Sequence, residues 1–150
     1  MEEGLSLVSE IRKTFALPGV DVRSYSPLAL AYIGDDVYDV VGRPFLVEHA
    51  NRSAHDLHKI SSHFVKAQTQ AAMIEALEEL LTEEEEAVYK RGRNAKAYTT
   101  AKNASVADYR KATGLEALMG YLYLSDRMDR VLELMKEGFT RLELTVREGH

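Results

Sequence analysis

Apolar positions recur along this chain at helical spacing, and almost nowhere do they alternate as a strand requires. Leu5, Val8, Ile11 and Phe15 predict a short amphipathic helix, followed by a connector from Gly19 to Tyr25. Ser26-Pro27 is a helix start, an N-cap ahead of proline at the first helical position. From there Leu30, Ile33, Val37, Val40 and Val41 share one face, up to an expected break near Gly42 to Pro44. A long helix is expected over about Ser53 to Glu79, with Leu57, Ile60, Phe64, Val65 and Ala67 inward. Thr82 and Glu85 form a capping box that opens a short helix ending near Gly92. Arg93 to Ala104 lacks periodicity and reads as a loop. Ser105 with Asp108 opens another helix, through about Leu124. A last helix follows Asp126, with Val131, Leu134, Met135 and Phe139 inward, and the tail from Thr140 to His150 reads as frayed helix or extended arm. The prediction is an all-α fold.

With 150 residues the chain has room for one domain, 1–150, and domains of this size bury roughly 70% of their extended-chain surface. No cysteine is present, which excludes disulfide scaffolds, thiolate metal sites and thiol nucleophiles. No apolar run approaches the roughly 18 residues of a membrane span, and the acidic start MEEGLSLVSE is unlike a signal peptide. A cytoplasmic protein without membrane partners is expected.

The net charge of −5 argues against a protein coated with positive charge, but the average conceals a division. Glu75 to Glu86 holds seven glutamates and no basic residue. Val88 to Lys111 holds seven basic residues against one acid, a local +6 that leaves −11 elsewhere. Solvated surfaces of opposite sign would account for both runs. The basic run also carries Gly92, Asn94, Thr99 and Asn103, whose donors suit phosphates, so nucleic acid is a candidate partner.

Two carboxylates stand against their surroundings. Glu116 is the only charged residue in the apolar stretch Ala112 to Ser125, and a buried unpaired carboxylate must protonate, find a cation or bind metal. In YIGDDVYDVV, Asp35 borders the apolar stripe, whereas Asp36 and Asp39 are expected to point further toward solvent or another surface. Gly34 lies beside Asp35, and Gly114 and Gly120 flank Glu116, each costing roughly 1 kcal/mol against alanine inside a helix. Helices crossing at those glycines would bring Asp35 and Glu116 together, an arrangement that needs a cation and suits Mg²⁺ held by two carboxylates and water. Carboxylates holding metal beside a basic segment describe a phosphodiester-cleaving site.

These same residues carry a family resemblance. LALAYIGDDVYDVV resembles the signature helix of the ribonuclease III catalytic domain, and TGLEALMGYLYLSD resembles that family's second acidic helix. RGRNAK at Arg91 to Lys96 and DLHK at Asp56 to Lys59, without a double-stranded-RNA-binding domain, are similar to the short bacterial branch, the Mini-ribonuclease III family. The similarity spans about 26–141, leaving 1–25 as a lead-in helix and connector and 142–150 as a tail. The resemblance implies a ribonuclease III-like helical bundle and metal-dependent cleavage of double-stranded RNA to 5′-phosphate and 3′-hydroxyl ends. It further implies Mg²⁺, with Mn²⁺ able to substitute, a homodimer with two sites along one groove, and maturation of precursor 23S ribosomal RNA, with ribosomal proteins as further candidate partners.

Residue by residue, Asp35 and Glu116 match the family's metal-binding, catalytic pair. Lys90, Arg91, Arg93, Asn94, Lys96 and Lys102 are candidates for RNA phosphates. The chain has Ala31 and Thr113 where full-length relatives carry two further carboxylates, which puts a two-metal cluster in doubt. Two other readings stand beside this one: a helical RNA-binding or ribosome-assembly module without catalysis, and an HD-type metal phosphohydrolase using His49, His55-Asp56 and Asp108.

Overall fold

The computed structural model of the protein describes residues 6–50, 63–95 and 105–148. Among them, helices and short turns make up the fold and no strand occurs. In chain order the helices are α1 (Leu7–Thr14), α2 (Pro27–Ala50), α3 (His63–Leu77), α4 (Glu83–Asn94), α5 (Val106–Leu124) and α6 (Met128–Glu148), with 3₁₀ turns at Val22–Ser24 and Glu78–Leu80. No helix of the described residues is long and apolar enough to cross a membrane.

The caps read from the sequence are built as expected. Ser26 Oγ accepts the Ala29 amide at 3.1 Å, and Ser105 Oγ accepts that of Asp108 at 3.0 Å. At α4, Thr82 Oγ1 accepts the Glu85 amide at 3.1 Å while Glu85 Oε1 accepts the Thr82 amide at 2.9 Å. Four glutamates in the first turn of α4 and two arginines in its last complement the helix dipole.

Helix α5 is the axis of the bundle, packed against α2, α3, α4 and α6. That position explains a helix apolar around its circumference: Leu115, Ala117, Leu118, Met119 and Leu122 are all fully buried. Leu30, Val37 and Tyr38 from α2, Met73, Ile74 and Leu77 from α3, Val88 and Tyr89 from α4, and Val131, Leu134 and Met135 from α6 complete one core.

Three expectations are corrected. Helix α2 does not break at Gly42 to Pro44 but continues through Pro44 to Ala50. Proline removes one backbone donor and crowds the carbonyl four residues earlier, that of Val40. Val40 is 60% exposed, so the inward role expected of its side chain is also wrong. Arg93 and Asn94, expected to open the loop from Arg93 to Ala104, instead end α4. Of the two forms expected for the tail, the structure has the helical one, to Glu148. Of the long helix expected over 53–79, His63–Leu77 is described with Ala67 buried; Leu57 and Ile60 lie outside the described residues.

Candidate metal-binding and nuclease site

The site forms where α2 crosses α5, and glycine permits the crossing. A Cβ on Gly34 would lie 1.6 Å from the Glu116 carbonyl oxygen, and one on Gly120 would lie 2.0 Å from that of Leu30. Either methyl group would push the helices apart, so backbone contact here requires glycine on both sides. The contact sets Asp35, next to Gly34, against Glu116, and the two carboxyl groups share a hydrogen bond.

Glu116 is mostly enclosed, with 18% of its side chain exposed. Burial and the adjacent Asp35 push its carboxyl up to about 8, while the Gln70 amide and the Lys66 ammonium pull in the opposite direction. Gln70, itself buried, donates from Nε2 to Glu116 Oε2 at 3.2 Å. Lys66 Nζ donates to Asp35 Oδ1, lies 3.0 Å from Asp39 Oδ1 and stands 4.0 Å from Glu116 Oε2. Burial works against the lysine's charge, but its contacts with Asp35 and Asp39 outweigh it and hold the ammonium above the ordinary lysine range. Tyr38 lies beneath, its ring centroid 5.8 Å from Nζ, and burial together with Asp39 and Glu116 raises its phenol.

Asp35 and Glu116 are thus brought together as the spacing predicted. Asp39, expected to point away, instead turns into the site one helical turn beyond Asp35; the i, i+4 spacing of the two aspartates was the available signal. Lys66 and Gln70 were missed. Their own i, i+4 spacing on α3 puts both on the face toward Glu116, but nothing in the sequence relates α3 to the crossing. Asp36 is exposed and lies at a separate apolar groove.

Ala31 is buried, and Thr113 Oγ1 donates to the Tyr109 carbonyl at 3.0 Å, so neither position supplies a carboxylate. Among the described residues, no group of three or more histidine or acidic side chains is arranged to hold a metal. Asp35 and Glu116 are hard oxygen donors whose mutual repulsion a cation relieves, and they fit a divalent ion completed by water.

The basic candidates are less free than their composition suggested. Lys90 Nζ pairs with Glu86 at 2.6 Å, and the Arg93 guanidinium lies over the Tyr89 ring at 5.6 Å. Arg91 and Asn94 are exposed at the end of α4, and Lys96 and Lys102 lie outside the described residues. For the HD-type reading, His55 and Asp56 also lie outside them.

The Ribonuclease III domain family model matches residues 28–127, which contain both helices of the crossing. A Mini-ribonuclease 3 of Enterococcus faecalis is 48% identical over 117 residues, 77% of this chain and 89% of the relative. A Mini-ribonuclease 3 of a Thermoanaerobacter species is 41% identical over 131 residues, 87% of this chain and 92% of the relative. A crystal structure of a Fusobacterium nucleatum protein superposes with a TM-score of 0.69 at 27% identity, covering 78% of this chain and 95% of that one. Sequence, motif order and fold therefore agree, and this chain belongs to the ribonuclease III domain family, within its Mini-ribonuclease 3 group.

Proposed function

We propose that Asp35 and Glu116 form the hydrolytic site of this endoribonuclease of double-stranded RNA, holding Mg²⁺, or Mn²⁺ in its place. One observation carries the reading: two carboxyl groups are forced together at a glycine crossing, and the enclosed Glu116 is pushed up to about 8 by that proximity and burial. Groups so perturbed by burial and a like neighbour are characteristic of reacting sites. When bound, a divalent ion there supplies Lewis-acid stabilisation of the phosphoryl oxygens and a water of lowered pKa. The chain's own residues bind and orient. Asp35 and Glu116 present hard oxygens on two rigid helices, and Gln70 fixes the Glu116 carboxyl by its amide. Hydrolysis leaves 5′-phosphate and 3′-hydroxyl ends.

Lys90, Arg91, Arg93 and Asn94 at the end of α4, with Lys96 and Lys102 in the following segment, take RNA phosphates. Duplex RNA is recognised mainly by shape and by 2′-hydroxyl and phosphate contacts, so binding by one domain, 1–150, weakens steeply with salt. The substrate is precursor 23S ribosomal RNA in the cytoplasm, met alone or with ribosomal proteins. The working form is a homodimer whose two sites share one duplex. An apolar groove of about 540 Å³ between α1, the connector and α2, lined by the exposed Leu7, Leu17, Val20, Tyr25 and Val40, leaves apolar surface that a second protomer would cover.

Double-stranded RNA incubated in Mg²⁺ with wild type, Asp35→Asn and Glu116→Gln tests the site. Cleavage by wild type alone supports it, and cleavage persisting in both variants removes it. Duplex binding without cleavage by wild type would favour the non-catalytic RNA-binding module instead. Gel filtration at about twice the 16.9 kDa chain mass supports the dimer, and a mass near 16.9 kDa at working concentration counts against it.

A further inference from the structure

Lys66 is the side chain that the ribonuclease reading leaves without a task, although its ammonium sits among the carboxylates. Its side chain is 10% exposed, and its Nζ meets Asp35 Oδ1, Asp39 Oδ1 at 3.0 Å and Glu116 Oε2 at 4.0 Å. A lysine on the bundle surface would reach water. This one lies over the Tyr38 ring, with its charge turned toward three acids from two helices. Those acids carry up to three negative charges in a partly enclosed space; among the described residues the Lys66 ammonium is the cation that meets all three, while Arg43 stands 3.7 Å from Asp39 Oδ2 on the exposed side. Gln70, one turn along α3, adds a neutral donor to Glu116 and no charge.

We propose that Lys66 is a tethered cation that competes with the divalent ion for Asp35 and Glu116, so that metal must displace it to bind. This rests on the reading of Asp35 and Glu116 as the metal-binding pair and adds a residue that tunes their affinity. The oxygens that Lys66 approaches are those a divalent ion needs, and one oxygen cannot serve both cations at full strength. An ammonium beside a bound ion is also a like charge at short range in a poorly solvated place. Asp39 gives the lysine somewhere to retreat: it is the one acid of the three with no part in the proposed metal pair, and it already lies 3.0 Å from Nζ. Before metal binds, Lys66 offsets the repulsion between carboxylates at the α2–α5 crossing. Loading with metal then transfers that task from the ammonium to the ion.

A neutral replacement of similar length therefore acts in two directions. Lys66→Met removes the competitor and tightens metal binding, and it removes the counter-ion and weakens the metal-free fold. Lys66→Arg keeps a cation and stays near wild type in both respects. A lysine with a merely structural role would lower stability in Lys66→Met without tightening metal binding.

The test is isothermal titration of Mn²⁺ into metal-free wild type, Lys66→Met, Lys66→Arg and Glu116→Gln at neutral pH, with thermal melting in chelator alongside. The expected result is binding about tenfold tighter in Lys66→Met, little change in Lys66→Arg, and a lower melting temperature for metal-free Lys66→Met. Equal or weaker binding by Lys66→Met, with binding still lost in Glu116→Gln, overturns the competition and leaves the metal site standing. Binding that Glu116→Gln does not affect, or no binding by any of the proteins, overturns the metal site and the competition with it. A readout on the wild-type chain guards against a variant that fails to fold: the Lys66 Nζ resonance should move as Mg²⁺ is added, and a resonance that stays fixed while metal binds overturns the proposal.

Discussion

Two glutamates lie inside this bundle, and their surroundings set them opposite tasks. Glu85 has no exposed side-chain surface. Arg130 grips it from Nε and Nη2, both at 2.8 Å, the Thr82 amide donates at 2.9 Å, and Arg127 stands at 3.6 Å. Burial alone would raise its carboxyl, but the bonds from Arg130 and Thr82 and the charges of both arginines hold it below the usual carboxylate range. Glu116, with 18% of its side chain exposed, is pushed up to about 8 by burial first and the adjacent Asp35 second, and the Gln70 amide and an ammonium 4.0 Å away offset only part of this. Burial opposes ionisation in both. What offsets it differs: donors and two arginines satisfy Glu85, which locks α4 to α6, whereas Glu116 faces a like-charged Asp35 and keeps capacity for a further cation.

Exchanging each for glutamine should split activity from stability. Glu116→Gln is expected to lower cleavage of duplex RNA by about a thousandfold, roughly 4 kcal/mol in the barrier. Its metal-free melting temperature at pH 8 should be equal to wild type or higher, because a neutral amide no longer opposes Asp35. Glu85→Gln should do the reverse, costing about 3 kcal/mol of stability by removing the buried partner of Arg130 and leaving it the exposed Glu133. Its cleavage rate per folded molecule should be unchanged. Denaturant unfolding and cleavage kinetics on both variants check the pair of predictions. If Glu85→Gln were the inactive variant and Glu116→Gln the unstable one, the assignment of tasks would be reversed.

A smaller effect is expected at the surface. Lys90 and Glu86 form an i, i+4 pair with both side chains about half exposed. Exposed pairs of this kind contribute about 0.5 kcal/mol or less, so Lys90→Ala should leave the melting temperature almost unmoved. If Lys90 instead serves RNA phosphates, the same variant weakens duplex binding and flattens its salt dependence by about one counterion. A filter-binding series over salt concentration reads that slope, and an unaltered slope removes Lys90 from the interface.

Each of the two glutamates was half legible in the sequence. Thr82-x-x-Glu85 announced a cap because the partners are three residues apart, but Arg130 is 45 positions away and nothing local pointed to it. Glu116 stood out as a lone charge in an apolar helix, and glycines beside both acids suggested the crossing that Gly34 and Gly120 make. Lys66 and Gln70 did not stand out, since polar residues along α3 look like an ordinary solvent face until the packing of α3 on α5 is known. Asp39 was misread because an apolar stripe through Val40 turned the expected face of α2 away from it. Val40 is exposed at the groove near α1, and the buried side runs through Leu30, Gly34, Val37 and Tyr38. Periodicity located the helices; which helix met which depended on contacts between distant residues.

The two glutamates should also differ in how stability depends on pH without metal. Glu116 has a folded-state pKa of about 8, above its ordinary 4.5, so between those values the folded chain binds more protons than the unfolded one. Its contribution is present in full below about pH 4.5 and is lost as pH rises through about 8. Glu85 has the opposite sign. Its folded pKa is depressed, so its contribution is present above the ordinary carboxylate range and is lost as pH falls through the lowered value. Unfolding in chelator from pH 4 to 9 should therefore show a fall on the alkaline side that Glu116→Gln flattens and Glu85→Gln leaves in place. On the acid side the dependence should be reduced in Glu85→Gln only. Saturating Mg²⁺ should also flatten the alkaline limb of wild type, because a bound cation favours the ionised carboxylate over the protonated one. An alkaline limb that Glu116→Gln does not change would mean that the buried carboxyl titrates near its ordinary value and that Lys66 already compensates it in full.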